Sequence, residues 1–214
     1  MENLIVDLAD VGVKCPNCGV KFNSKQLPEV VDTGLRNSEL RQHIGGVKPQ
    51  YEQYSVLTCP SCGISDWATS FIPTTELCVL NQGNSPPHLQ YRNAAIGAER
   101  KGGNFFGVGM FYLYAAWCAD DVNALPQARE YRRLAIDAFR KSLIDVSCPT
   151  DNRPEVEYLI GELCRRTGDF ARCKEYYQAV IGRLPALYSA MARKLMRMAE
   201  MGSTEDIQFD GMGN

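Results

Sequence analysis

Apolar side chains recur at helical spacing in the second half of the chain. Phe106, Met110, Leu113 and Trp117 are separated by four, three and four residues, which places them on one face of a helix. Similar stripes continue towards the C-terminus, so we predict a helical bundle. The predicted helices span residues 89–101, 104–118 and 125–145, and three more begin at Pro154, Asp169 and Pro185.

The first 80 residues show a different pattern. Short alternations of apolar and polar residues around 11–13 and 54–56 are typical of strands. Residues 23–50 are polar and contain Pro and Gly breakers, and residues 73–87 have the composition of a linker. We therefore predict an α+β fold, mainly α. Its parts are a small module at 1–80, a helical domain at 81–201 and a flexible tail at 202–214.

Two cysteine pairs of one design organise the first module. Their sequences are Cys15-Pro16-Asn17-Cys18-Gly19 and Cys59-Pro60-Ser61-Cys62-Gly63, and 40 residues separate Cys18 from Cys59. Proline pre-sets the turn between the two cysteines of a pair, and the glycine allows a positive φ just after it. Four thiolates suit a tetrahedral zinc ion and leave no open position for catalysis. We predict that Cys15, Cys18, Cys59 and Cys62 hold one structural Zn²⁺ in a zinc-ribbon-like module, although the residues do not separate zinc from iron.

A second interpretation of the cysteine pairs is redox chemistry. A single C-P-x-C dithiol can serve a thiol oxidoreductase when the pKa of one thiol is lowered. Such a pair sits at a strand-to-helix junction of a βαβ unit, and neither pair has that alternation around it. Two copies of one motif favour a shared metal instead.

Charge argues against a nucleic-acid partner for the first module. Residues 1–80 carry six Lys or Arg against nine Asp or Glu, whereas zinc modules that bind nucleic acid present a basic patch. The apolar stretch at 104–119 is too short to span a membrane, and the N-terminus lacks the basic region of a signal peptide. Nine cysteines without a complete disulfide framework indicate a reducing, cytoplasmic setting.

Residues 158–185 resemble a tetratricopeptide repeat. Ile160-Gly161, the turn Gly168-Asp169-Phe170, small Cys173, then Tyr177 and Pro185 follow the spacing of that repeat. Gly109, Tyr112, Ala135, Phe139 and Ser142 suggest a degenerate earlier copy. The resemblance implies two closely crossing helices with a small residue facing an aromatic ring.

The whole order of motifs is similar to an uncharacterised prokaryotic family of unknown function. Its members place a double C-P-x-C-G module first and a Y-L-I-G-E-L…R-x-G-D hairpin near the end, which residues 158–163 and 166–169 match here. Ile64-Ser65 depart from the aromatic and Ala that we expect after the second knuckle. The resemblance implies a fold and a metal, and no activity.

These observations favour a non-enzymatic adaptor or scaffold that binds a protein or peptide partner, with a nucleic-acid-binding protein and a thiol oxidoreductase as alternatives. Arg129, Arg132, Arg133 and Arg140 form a basic row on one predicted helix and are candidates for binding an acidic peptide. His43 and His88 both lie in polar segments and are expected at the surface. No Ser-His-Asp or Cys-His set points to a catalytic residue.

Overall fold

Six helices form the larger part of the structure, as predicted. The computed structural model describes residues 8–26, 35–42, 51–83 and 85–209. The helices are α1 (Pro87–Arg100), α2 (Phe105–Asp121), α3 (Leu125–Ile144), α4 (Arg153–Arg166), α5 (Phe170–Val180) and α6 (Ala186–Glu200). The predicted caps are in place: Asn104 accepts a hydrogen bond from the Gly107 N–H at 2.6 Å, and Asp169 accepts one from the Arg172 N–H at 3.1 Å. No described helix has both the length and the apolar character that crossing a membrane requires.

Two helical hairpins pack through the same kind of contact. A Cβ atom on Gly109 of α2 would lie 2.5 Å from the ring of Phe139 on α3, and one on Gly161 of α4 would lie 2.4 Å from the ring of Tyr177 on α5. Each glycine is early or central in its helix and each ring is late in the next, so the paired helices run antiparallel. The absence of a side chain lets the two backbones approach closely at both places.

In the described residues, seven short strands form three small antiparallel sheets. The strands are β1 (Ala9–Lys14), β2 (Lys21–Gln26), β3 (Arg36–Asn37), β4 (Val56–Thr58), β5 (Ser65–Trp67), β6 (Ile72–Pro73) and β7 (Gln208–Phe209). The first sheet has the order β2-β1-β6, with Val13 opposite Phe22 in the register. The other two are the pairs β4-β5 and β3-β7. Tyr51–Tyr54 form a 3-10 turn before β4.

The buried apolar residues form two clusters. The larger fills the helical bundle, and the smaller lies beneath the cysteine pairs. Members of the smaller cluster are Val13, Cys15, Phe22, Leu57, Cys59 and Phe71. Neighbouring β-strand residues point in opposite directions, and Val56 therefore joins the helical cluster while Leu57 joins the small one. Trp67 also packs on the helices, stacking on Phe111 with ring centroids 4.6 Å apart. The division near residue 80 stays a prediction, and these contacts cross it.

Two segments predicted to be loosely attached are bonded to the rest of the chain. The predicted linker is bonded to Asn23 of β2. The Asn23 backbone N–H donates to the Leu80 carbonyl at 2.7 Å, and the Asn23 side chain binds the Cys78 backbone. In the predicted flexible tail, β7 pairs with β3, and Arg165 donates to the carbonyls of Ser203 and Glu205 at 2.8 Å. The tail is polar, as its sequence shows, but its partners are buried polar groups rather than water. The assignment of 202–214 as a flexible tail stays a prediction, and these contacts tie residues 203–209 to the bundle.

Candidate metal centre

The two cysteine motifs fold into matching turns. In the first, the Cys15 N–H donates to the Val20 carbonyl at 2.8 Å, and the Gly19 N–H donates to the Cys15 carbonyl at 3.0 Å. In the second, the corresponding bonds join Cys59 to Ile64 at 2.9 Å and Gly63 to Cys59 at 3.0 Å. The glycines adopt φ of 77° and 72°, a region that residues with a Cβ atom rarely occupy. The predicted role of both glycines is confirmed.

The turns bring the four thiol sulfurs together. The Sγ atoms of Cys15 and Cys62 are 3.7 Å apart, those of Cys18 and Cys59 are 3.6 Å apart, and all four lie within 4.8 Å of one another. With metal–sulfur bonds of about 2.3 Å, the edges of a tetrahedral thiolate site are about 3.8 Å long. The donor set fits a thiophilic metal ion of this coordination number, and all nine cysteines carry free thiols.

Burial divides the four cysteines into two kinds. Cys15 and Cys59 are each 1% exposed, whereas Cys18 and Cys62 lie at the exposed tip. Burial raises the pKa of the Cys59 thiol. The backbone N–H of Ile64 lowers the pKa of the Cys62 thiol, and the Asn17 side chain, 3.5 Å from that sulfur, acts in the same direction. One thiolate is thus already favoured by the protein's own donors, as metal ligation requires deprotonated sulfur.

The support beneath the turns is small and aromatic. Phe22 follows the first turn and meets Phe71 edge to face, with ring centroids 5.7 Å apart. On the second side, β4 and β5 are fastened by a 2.8 Å hydrogen bond between the hydroxyls of Thr58 and Ser65. Ser65 is one of the two residues that depart from the family pattern, and here it is buried and bonded. The substitution therefore leaves the arrangement of the knuckle intact.

The predicted arginine row divides in the structure. Arg129, Arg133 and Arg140 are exposed on α3, with Arg133 paired to Glu130 at 3.5 Å. Arg132 has a side chain only 2% exposed, so it does not share the exposed face of the other three, and its role in partner binding stays a prediction. At about 100° per residue, Arg132 is turned some 60° away from Arg129, towards the packed face of the helix. Its spacing of seven residues from buried Phe139 was the signal in the sequence.

Arg132 belongs to a buried ionic cluster that the sequence analysis missed. Its guanidinium donates to Glu39 through Nε at 2.5 Å and Nη2 at 2.8 Å, and it also binds Asp120. Burial raises the pKa of the Glu39 carboxyl, but the charges of Arg132 and Arg166 outweigh that effect and bring the pKa from 4.5 down to about 2. Glu39 comes from the polar insertion between the knuckles, where no helical or strand period marks it.

The histidines and remaining cysteines add no second site in the described parts of the chain. His88 is half-buried at the start of α1, near the ring of Tyr131, and burial lowers its pKa. His43 lies outside the described residues. Cys164 and Cys173 are buried on helix faces, where burial raises the pKa of both thiols.

Comparison with known proteins gives a family match for the helical part of the chain. Residues 89–201, just over half of the 214-residue chain, match the family described as uncharacterized proteins conserved in bacteria (DUF2225). The match includes the hairpin of α4 and α5, while the cysteine turns lie before it. No curated protein and no solved structure matches the chain. The likeness to tetratricopeptide repeats stays a prediction. By the extent of the family match, the chain belongs to the DUF2225 family.

Proposed function

We propose that this protein is a non-enzymatic adaptor or scaffold of the cytoplasm, built from a structural zinc site and a helical surface that binds a protein segment. Cys15, Cys18, Cys59 and Cys62 are the zinc ligands of this proposal. The observation that carries it is the convergence of four thiols from two separate motifs on one point. Nine free thiols are in keeping with a reducing compartment.

The pairing of the sulfurs favours a shared ion over redox chemistry. A redox dithiol closes a disulfide within its own C-x-x-C motif, whereas sulfur–sulfur contacts of 3.6 and 3.7 Å here join different motifs. A four-thiolate set also fills the coordination shell, so no position remains for a substrate or an activated water. When bound, zinc would supply four strong bonds to a module with a small apolar core.

Elemental analysis and thiol alkylation test the zinc site. We expect one Zn²⁺ per chain, with the four cluster cysteines protected from alkylation until a chelator is added. Cys18 and Cys62 make this informative because the protein itself leaves them exposed. Cys78, partly exposed and outside the cluster, is the matched control and should react under both conditions. Free reaction of all four cluster thiols without chelator would refute the shared site.

The binding role is supported by the helical hairpins. Gly109 against Phe139 and Gly161 against Tyr177 are equivalent contacts in successive hairpins, as expected for tetratricopeptide-like repeats, whose usual role is to hold peptides. Exposed Arg129, Arg133 and Arg140 favour an acidic partner. A salt-titrated binding assay with single-stranded and duplex nucleic acid tests the alternative class of partner, and we expect no salt-dependent complex from this acidic first module.

A further inference from the structure

Residues 35–42, which we call the insert peptide, leave the cysteine module and pack on the helical bundle. Within the peptide, the Asn37 side-chain oxygen accepts hydrogen bonds from the backbone N–H groups of Glu39 at 3.0 Å and Arg41 at 2.8 Å. Its turn is therefore closed by its own residues. The bundle then binds the presented groups: the Tyr158 hydroxyl donates to the Ser38 carbonyl at 2.8 Å. This is the way in which a short linear peptide is held by a receptor.

The Glu39 carboxylate occupies a pocket made by three successive helices. Trp117 of α2 donates through Nε1 at 3.0 Å, Arg132 of α3 donates through two nitrogens, and Arg166 of α4 lies 3.8 Å away. The Glu39 side chain is 1% exposed. A bidentate arginine combined with an indole donor fixes the position and orientation of a carboxylate, so the pocket selects an acidic group.

The pocket is braced independently of the peptide. Asp120 of α2 binds Arg132 on its other side and accepts from Arg166 at 3.4 Å. Without Glu39, almost wholly buried Arg132 would keep only Asp120, which it shares with Arg166, while Arg166 would also keep Asp206 at 3.5 Å. A buried cation without a partner is strongly unfavourable. Any state in which the insert peptide leaves therefore requires another carboxylate in its place.

The C-terminal strap, residues 203–209, closes over the insert peptide. Asp206 accepts hydrogen bonds from the Asn37 side chain at 2.9 Å and the Ser38 hydroxyl at 3.0 Å. Strand β7 of the strap pairs with β3 of the peptide, and buried Arg165 anchors the strap to α4 through its carbonyls. The peptide thus lies between the bundle and a short terminal segment, and its buried Arg41 side chain also binds Glu52 at 2.9 Å and Asp121 of α2 at 2.8 Å.

We propose that the pocket of Trp117, Arg132 and Arg166 is a receptor for a glutamate-bearing peptide of a partner protein, and that the insert peptide is its resident occupant. The partner segment would replace residues 35–42 once the strap opens. This inference rests on the proposed binding role, and it moves the acidic partner's carboxylate from the exposed arginines to a buried site.

Peptide complementation tests the receptor. In the full chain, residues 35–42 are replaced by an alternating Gly-Ser segment of equal length, and the probe is a synthetic peptide of residues 35–42. We expect calorimetry to show binding to the replaced chain, with the Glu39→Gln peptide at least ten-fold weaker. The unmodified chain should bind the probe at least ten-fold less well, since its own segment competes. A folded replaced chain that ignores the probe, or accepts both peptides equally, overturns the proposal.

Hydrogen exchange provides a second test, which compares the unmodified chain with a shortened one. The amides of Glu39 and Arg41 should exchange through a local opening, faster than those of α4, and at least ten-fold faster still in a chain ending at Gly202. Exchange only together with α4, or loss of helical circular dichroism in the replaced chain, would make the peptide a part of the core and refute its role as a ligand. Both readouts are taken at one zinc content, measured separately by elemental analysis, so failure of the zinc site and failure of the receptor are distinguishable.

Discussion

The contact between Gly161 and Tyr177 offers a sharp test of the helical packing. In a Gly161→Ala variant, the new Cβ atom would lie 2.4 to 2.7 Å from three carbons of the Tyr177 ring. The ring is fully buried, and its hydroxyl donates to the Tyr158 carbonyl at 3.0 Å. The ring therefore has to move, and the hydrogen bond has to lengthen or break with it.

The expected cost follows from three contributions. Overpacking a core contact costs about 1–3 kcal/mol, and weakening the tyrosine hydrogen bond adds about 1 kcal/mol. Replacing glycine by alanine inside a helix stabilises the fold by about 1 kcal/mol, because alanine has the higher helix propensity. The net destabilisation is thus about 2 kcal/mol, which for a chain of this size lowers Tm by about 4–8 °C.

Thermal unfolding of matched variants isolates the packing contribution. Gly97→Ala is the control, because Gly97 is also inside a helix but a Cβ atom there has no neighbour within 4 Å. It should raise Tm by about 2–4 °C through propensity alone. Gly109→Ala should destabilise like Gly161→Ala, since its Cβ would meet Phe139 at 2.5 Å. If Gly161→Ala melts with the control, the close approach of α4 and α5 is absent.

Two further predictions concern the stability of the protein at low pH and the removal of the metal. Because the pKa of Glu39 falls from 4.5 to about 2 on folding, its contribution of about 3 kcal/mol should be complete above pH 4.5 and lost as pH drops through 2. In urea unfolding, Glu39→Gln should therefore have a lower free energy of unfolding than the unmodified chain at pH 7, and this difference should narrow below pH 4. The exposed variant Glu175→Gln should show no such pH-dependent difference. Chelation, or the double variant Cys59→Ser with Cys62→Ser, should abolish amide protection in β1, β2 and β4. Most of the helical circular dichroism should survive. Cooperative unfolding of the strands and helices together would contradict this prediction.

Local chemistry explains why the helices and cysteine turns could be predicted. Helical stripes, the caps at Asn104 and Asp169, and the trailing glycines of the knuckles all act within a few residues of one another. The convergence of the two motifs was predictable for a different reason. One ion requires four ligands and each of the two matching motifs supplies only two, so the motifs are expected to share one ion.

The contacts that could not be predicted join polar and charged residues that are far apart in the sequence. Glu39 and Arg132 are 93 residues apart, and Asn37 and Asp206 are 169 apart. In a sequence, each of these residues is typical of solvent-exposed surface, because charged side chains are seldom buried without a partner. Only the fold supplies the partner. The same limitation made Arg132 resemble its exposed neighbours.

The insert peptide and the metal site are linked through chain connectivity. The 40 residues between the knuckles begin and end at the cluster, and the insert peptide is a described part of them that docks on the helices. Joining the two ends of such a loop removes up to about 4 kcal/mol of chain entropy from its undocked states, by the relation used for cross-links. A bound ion would therefore favour the docked peptide without touching it. By the reciprocity of linked equilibria, a peptide seated at Arg132 holds the two knuckles near each other and favours the ion. The long insertion, which a minimal zinc ribbon does not need, would thus couple a bound metal ion to the pocket of the helical bundle.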